Sequence, residues 1–259
     1  MHGDPLKVLL KEERHRRILE LLRSQGKVLA GDLVTTLAVS ADTIRRDLRQ
    51  LDDSGDLMRV HGGALNRLPN TPSYLERVEQ RVEANAAIGI VGASLIQSGQ
   101  TIFMDGGATT LQVARAIPSE LLVTVVTNSP ALAIEMASHK AANVILVGGT
   151  LLKESQVATG AEAVEQVSRF RADLLFLGAC ALHRKQGITV PSLEEAPLKR
   201  AMLQCAKAAI GMATAERLNA VAPYVVGPVE KLRYLIVDSS ADLDLLRKYR
   251  KLGIEVLSV

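Results

Sequence analysis

From residue 101 onward the chain repeats one pattern: a short apolar run, a turn rich in glycine or polar residues, then a helical stretch. The apolar runs are 101–104, 122–127, 144–147, 174–177, 208–213 and 232–237, several of them rich in Val or Ile. Helical periodicity occupies 111–116, 131–138, 161–170, 195–206 and 242–251, and 255–259 closes the chain as a strand. Apolar runs without alternation suit strands buried on both faces, and strands separated by helices are parallel. The pattern therefore predicts a mainly parallel α/β sheet covered on both sides. A chain of 259 residues has room for such a body and a smaller domain before it, and an apolar share of 47% supplies both cores.

In an open parallel sheet the loops at the carboxyl ends of the strands share one crevice, where ligands bind. Asp105-Gly106-Gly107-Ala108-Thr109-Thr110 follows the first run and opens a helix. Asn128 and Ser129 follow the second run, Gly148 and Gly149 the third, and Gly160 precedes another helix. Two glycines let backbone approach an anion, while Thr109 and Thr110 bring hydroxyls to the positive end of a helix. Asn128 can donate to and accept from a sugar hydroxyl. Each of these has a plainer reading as a tight turn, but four such strand ends together favour a ligand. Neither GxxxxGK[ST] nor a complete GxGxxG is present, which disfavours ATP and NAD; no cofactor is expected. Cys180 and Cys205 are isolated, with no CxxC and no clustered His, so neither a metal site nor a disulfide framework is indicated.

The segment before this body reads differently. Residues 12–24 and 32–38 are helical patterns, with Ile18, Leu21 and Leu22, then Leu33, Val34 and Leu37, on their apolar faces. Ser40 can cap a third helix, on which Ile44, Leu48 and Leu51 fall at i, i+4 and i+7 as a buried stripe. Thr43, Arg45, Arg46 and Arg49 project from the remaining surface. Asp42 with Arg46 and Arg49 with Asp53 are also spaced as ordinary i,i+4 pairs, the bland account of those arginines. Gly55 stops the helix, and 57–60 and 64–67 read as two strands turning at His61-Gly62-Gly63, with Arg59 and His61 on the hairpin. Three helices and a basic hairpin predict a winged helix-turn-helix, its third helix entering the major groove of double-stranded DNA. LPNTPS after Arg67 marks a boundary, giving a head of 1–68, a linker and connecting helix of 69–86, and a body of 87–259.

Charge adds little. Lys+Arg and Asp+Glu number 12 and 10 in residues 1–70 and 19 and 18 in 71–259, so only the placement of the arginines argues for DNA. Aromatics are 3% and Trp is absent, against a stacking platform for single strands. The uncharged stretch 84–104 is interrupted by Asn85, Gln97, Ser98, Gly99 and Gln100, so no membrane span is expected, and the N-terminal apolar run is too short for a signal peptide. A soluble cytoplasmic protein is the expectation.

The stretch TIRRDLRQLDDSGDLMRVHGGA closely resembles the signature of DeoR-type bacterial transcriptional regulators, in which a similar helix runs into an R-V-H-G-G-A wing. The match continues along most of the chain: that family's D-x-G-x-T-T, T-N-S and G-G patterns are met by 105–110, Thr127-Asn128-Ser129 and Gly148-Gly149. The resemblance implies a body similar to ribose-5-phosphate isomerase and CoA-transferase folds, sensing a phosphorylated sugar or similar metabolite. It also implies that Glu195, Lys199 and Arg200 in EEAPLKRAM lie near the pocket. Many members carry a D-S-S-K-like segment whose Lys faces the ligand. Here the corresponding residues are Ala213-Thr214-Ala215-Glu216 followed by Arg217, and an acid in place of a cation weakens phosphate binding. The leading expectation is a repressor of a sugar or carbohydrate operon, a homodimer or homotetramer whose heads read paired half-sites. One alternative is an isomerase-like enzyme with an attached head, for which Asp105, Glu194 and Glu195 with Lys199 supply acid–base groups. Another is a body that serves assembly alone.

Overall fold

The computed structural model describes residues 9–66, 74–80, 82–178 and 181–259. Arg67, the LPNTPS boundary and Cys180 lie outside them. The chain divides into two compact units, Met1–Asn70 with Asn219–Ala222, and Thr71–Leu218 with Pro223–Val259. The second unit thus takes in residues 71–86, which the sequence reading set apart as a linker, and it yields four residues near its end to the first.

The first unit contains α1 (Lys11–Gln25), β1 (Lys27–Leu29), α2 (Ala30–Leu37), α3 (Ala41–Asp53), β2 (Leu57–Val60) and β3 (Gly63–Asn66). Gly26, in the left-handed conformation at φ 73°, ends α1, its N–H bonding to Leu22 O. Ile18, Leu22, Leu33, Leu37, Ile44, Leu48, Leu51 and Leu57 form one core. The wing has three strands rather than the two expected, in the order β1-β3-β2, all antiparallel. Gly63 lies so close under β1 that a Cβ there would meet the Val28 carbonyl oxygen at 2.0 Å. The second glycine of the HGG turn is therefore required by close approach, whereas Gly62 supplies the positive φ of the turn itself (81°).

The second unit opens with α4 (Tyr74–Glu79) and α5 (Val82–Ser94), two helices where one continuous pattern was expected. Then come β4 (Gln100–Met104), α6 (Ala108–Ala116), β5 (Val123–Thr127), α7 (Pro130–Met136), β6 (Ala142–Leu146), β7 (Thr150–Leu152), β8 (Val157–Thr159), α8 (Ala161–Ser168) and β9 (Ala172–Gly178). The remainder is β10 (Ala181–His183), β11 (Gly187–Val190), α9 (Glu195–Cys205), β12 (Ala206–Ala213), β13 (Tyr224–Gly227), β14 (Leu232–Val237), α10 (Leu243–Arg250) and β15 (Glu255–Ser258). Seven strands make a wholly parallel sheet ordered β15-β14-β12-β9-β4-β5-β6. Successive residues feed opposite faces. Ile102, Met104, Phe176, Ile210 and Met212 pack with Ile88 of α5, Val113 of α6 and Leu132 of α7. Phe103, Leu175 and Leu177 pack with Val167 of α8, Met202 of α9 and Tyr249 of α10. Both faces are dry, which is why these strands read as unbroken apolar runs.

Two smaller sheets went unforeseen, the hairpin β7-β8 and the antiparallel group β10-β11-β13. The strand order also fixes where a ligand can enter. The chain starts at β4, adds β5 and β6 on one side, then returns to place β9, β12, β14 and β15 on the other. The order reverses between β4 and β9, and the crevice of such a sheet lies at the carboxyl ends flanking that reversal.

Candidate functional site

In the head, Ser40 caps α3, its Oγ accepting the Thr43 N–H at 3.2 Å and lying 2.9 Å from the Thr43 hydroxyl. Ile44, Leu48 and Leu51 are buried, as their spacing requires. Arg45, Arg46 and Arg49 are exposed on the opposite face, with Thr43 half-buried at its start. Asp42 pairs with Arg45, at 3.1 Å, rather than with Arg46. Both groups are more than two-thirds exposed, so the pair contributes little and leaves the arginine available. Arg59 and His61 are exposed on the wing, and the Arg59 N–H donates to Asp52 Oδ1 at 3.2 Å, tying wing to helix.

Sequence reasoning missed Asp47, the one buried acid of the stripe. Arg14 holds it with two bonds, one through Nη2 at 2.9 Å, and His15 Nε2 lies 3.1 Å from Oδ1. Burial pulls the Asp47 carboxyl upward, but the bonds from Arg14 and His15 win and hold it below the usual carboxylate range. This clamp fixes α1 against the back of α3. Its sequence signal was present: an acid on the apolar side of a helix needs a cation.

In the body, the 105–110 loop sits at the reversal between β4 and β9, where the Asp105 N–H bonds Phe176 O at 3.1 Å. Asp105 is fully buried, and Lys199 of α9, itself 4% exposed, donates to its Oδ2. Glu195 Oε2 lies 3.4 Å from the same ammonium. Burial pushes the Asp105 carboxyl up, while Lys199, and less strongly the Gly178 amide, draw it down; burial prevails. Gly106 passes so near β8 that a Cβ would meet Val157 Cγ1 at 2.1 Å. Gly107 is extended (φ 165°) and precedes Ala108, the first residue of α6. The Thr110 hydroxyl is fully buried and has no hydrogen-bond partner among the described residues. The Thr109 hydroxyl donates to Asn85 Oδ1 of α5 at 3.0 Å.

The other strand ends divide between crevice and scaffold. Asn128 is buried, its Oδ1 accepting the Gly106 N–H at 3.2 Å and its Nδ2 donating to Ala158 O at 3.2 Å. Asn128 is thereby a strut between the loop and β8. Gly149 abuts the Thr159 carbonyl, the Gly148 N–H bonds Gln166 Oε1 at 3.1 Å, and Gly160 caps α8 with open space beside it. Glu194 is exposed, hydrogen-bonded to Ser192, so it is a rim residue and not part of a buried acid–base pair. Arg200 is exposed and donates to Val225 O. Glu216 is exposed and Arg217 half-buried, so the acid in this segment is the member that faces water. Asp238 accepts the Ala215 and Ser240 amides at 2.7 and 3.1 Å, bracing the same turn.

One cation near the crevice had no sequence signal. Arg77 on α4 is half-buried, and burial lowers its pKa while Glu195, Tyr74 and Asp105 raise it. Within YLERVE it reads as a solvated charge; only the fold brings it near Asp105 and Glu195.

A winged helix-turn-helix with an open basic face, followed by a parallel α/β body with a polar crevice at its reversal point, defines a DNA-binding regulator with a sensor domain. Residues 14–67 match the DeoR-like helix-turn-helix domain and residues 80–239 the DeoR C terminal sensor domain. The chain belongs to the DeoR family of transcriptional regulators. The HTH-type transcriptional regulator GlpR of Haloferax volcanii is 34% identical over 251 residues, 96% of this chain and 98% of its own. The HTH-type transcriptional repressor GlcR of Bacillus subtilis is 31% identical over 96% of both chains. The putative aga operon transcriptional repressor of Escherichia coli is 31% identical over 95% of this chain and 93% of its own. Among solved structures, the sorbitol operon regulator SorC from Klebsiella pneumoniae aligns over 97% of this chain and 99% of its own, at 13% identity and a TM-score of 0.44. Ribose 5-phosphate isomerase A from Methanocaldococcus jannaschii aligns over 54% of this chain and 55% of its own, at 11% identity and a TM-score of 0.40. No helix among the described residues is long and apolar enough to cross a membrane.

Proposed function

We propose that this regulator is a repressor of sugar or carbohydrate genes, released or engaged by a phosphorylated sugar or similar anionic metabolite bound at the 105–110 loop. Thr43, Arg45, Arg46 and Arg49 read or position the major groove from α3, with Ser40 at its N-terminus, and Arg59 and His61 meet the adjacent backbone from the wing. Repression is supported by two relatives similar over nearly their whole length, the transcriptional repressor GlcR and the putative aga operon transcriptional repressor. The observation that carries the effector reading is the buried Thr110 hydroxyl, without a hydrogen-bond partner among the described residues, at the positive end of α6. Lys199 supplies the neighbouring cation. Gly148, Gly149 and Gly160 belong to the same proposal as turns bordering the loop, and Asn128 as its strut. The body serves as a sensor, in keeping with the match of residues 80–239 to the DeoR C terminal sensor domain. The active species is a cytoplasmic homodimer or homotetramer, since paired half-sites need at least two heads.

The test is reciprocity. Sugar phosphates are titrated into the full-length protein with and without operator DNA, and whatever factor the metabolite imposes on DNA affinity, DNA must impose in return, typically about 5–150-fold. Gly107→Asp places a carboxylate in the loop without backbone strain, since Gly107 is extended and a Cβ there meets only Thr110 Oγ1, at 3.5 Å. It should abolish the metabolite response and leave metabolite-free DNA binding intact. Equal metabolite affinity with and without DNA in the wild type refutes the gating.

A further inference from the structure

The Thr109 hydroxyl carries a single proton, and in this structure that proton is committed away from the loop it belongs to. It is donated to Asn85 Oδ1, with both residues buried. Asn85 in turn donates through Nδ2 to Gln80 O, at 3.3 Å, in the turn between α4 and α5. The loop and that turn are therefore joined by two consecutive side-chain bonds. Asn85 is the only amide side chain in an α5 otherwise made of small and apolar residues, one glutamate and one serine. A buried amide on such a helix is retained only where it is hydrogen-bonded.

An anion at the N-terminus of α6 needs donors, and Thr109 is one of the two hydroxyls there. A hydroxyl donates one hydrogen bond at a time. If it turns toward the anion, Asn85 Oδ1 is left as a buried acceptor without its donor, which favours movement of Asn85 and of the turn it holds. We infer that Asn85 is a positioning residue whose bond to Thr109 is exchanged for one to the bound anion, so that filling the loop loosens the α4–α5 turn. α4 is the first described element after the DNA-reading head in the chain, which puts the change where a regulator must transmit it. This inference rests on the effector reading above.

Hydrogen exchange on the full-length protein separates the two. Inorganic phosphate, then glucose 6-phosphate, is added at graded concentration, and peptides covering the 105–110 loop and the α4–α5 turn are followed. The expected pattern has opposite signs: slower exchange in the loop and faster exchange in the turn. Asn85→Ala should bind phosphate about 5-fold more tightly, because the hydroxyl no longer has a bond to surrender. Its turn should exchange fast from the start and ignore phosphate. A residue that merely braced the loop would do the reverse and weaken phosphate on removal. A protected loop with an unchanged or slower turn in the wild type overturns the exchange mechanism and leaves the effector site standing. No loop protection by either compound overturns both. If Asn85→Ala does not fold, the wild-type pattern alone decides.

Discussion

Replacing Lys199 with Met keeps the side-chain length and removes the charge that faces Asp105. Asp105 is fully buried and Lys199 nearly so, and breaking such a pair from one side costs about 3–5 kcal/mol, because the remaining charge has lost both water and partner. The protein has one escape, which is to protonate Asp105. From an unfolded pKa near 3.9, at about 1.36 kcal/mol per unit, that escape caps the cost at about 5.5 kcal/mol at pH 8 and about 1.5 kcal/mol at pH 5. The sign follows from the direction of the shift. Asp105 is already raised by burial, and losing Lys199 raises it further. A carboxyl raised in the folded state gives stability that is whole below its unfolded pKa and is lost as pH climbs through the folded one. The penalty of Lys199→Met should therefore be small at pH 5 and grow toward pH 8. Urea unfolding followed by tyrosine fluorescence is the assay. The chain has no Trp, and its four tyrosines, Tyr74, Tyr224, Tyr234 and Tyr249, all lie in the second unit, so the head is silent. A cost below about 1 kcal/mol at pH 8, or equal costs at pH 5 and pH 8, would refute the reasoning.

Alanine at Arg45, Arg46 and Arg49 together should leave the melting profile unchanged, because all three are exposed. Operator affinity should fall by about 1–3 kcal/mol per lost base contact, with a shallower salt dependence for each lost phosphate contact; undiminished binding at matched salt removes α3 as the reader. Leu48→Ala, at a side chain only 2% exposed, should destabilise the head by about 2–5 kcal/mol, and a loss under 1 kcal/mol in helix content followed through urea would place the stripe on the wrong face. Asp47 is held below its ordinary pKa, so the stability it lends is present above about pH 4 and lost as pH falls through its folded value. Asp47→Asn should flatten that acid limb in helix content followed by circular dichroism; an unaltered limb means that the Arg14–His15 clamp is not its source.

What the sequence disclosed depended on how locally each feature is determined. The stripe Ile44–Leu48–Leu51 and the Ser40 cap are fixed by residues within a few positions of one another, and both stood out. The seven parallel strands stood out because both faces are dry. β1 did not, because Lys-Val-Leu is too short to show a period and becomes a strand only beside Gly63, Ala64 and Leu65. The hairpin β7-β8 and the group β10-β11-β13 were hidden for the same reason. In the crevice, Asp105, Thr109 and Thr110 were visible as a loop that opens a helix. Arg77 was not, because its approach to Asp105 and Glu195 is made by packing and not by spacing. Asn85 was seen only as a break in an apolar stretch, although a lone amide on such a helix asks what it is bonded to.

The position of β3 between β1 and β2 makes the wing a three-part object spread over the head. β1 enters from between the first two helices, and its Val28 carbonyl closes over Gly63, so the hairpin has no freedom to be recut by itself. Residues 45, 46 and 49, exposed on a helix held from behind, can be exchanged one by one without disturbing the fold. A transplanted wing, by contrast, has to travel as residues 27–29 together with 57–66, or the incoming turn will meet a strand cut for another hairpin.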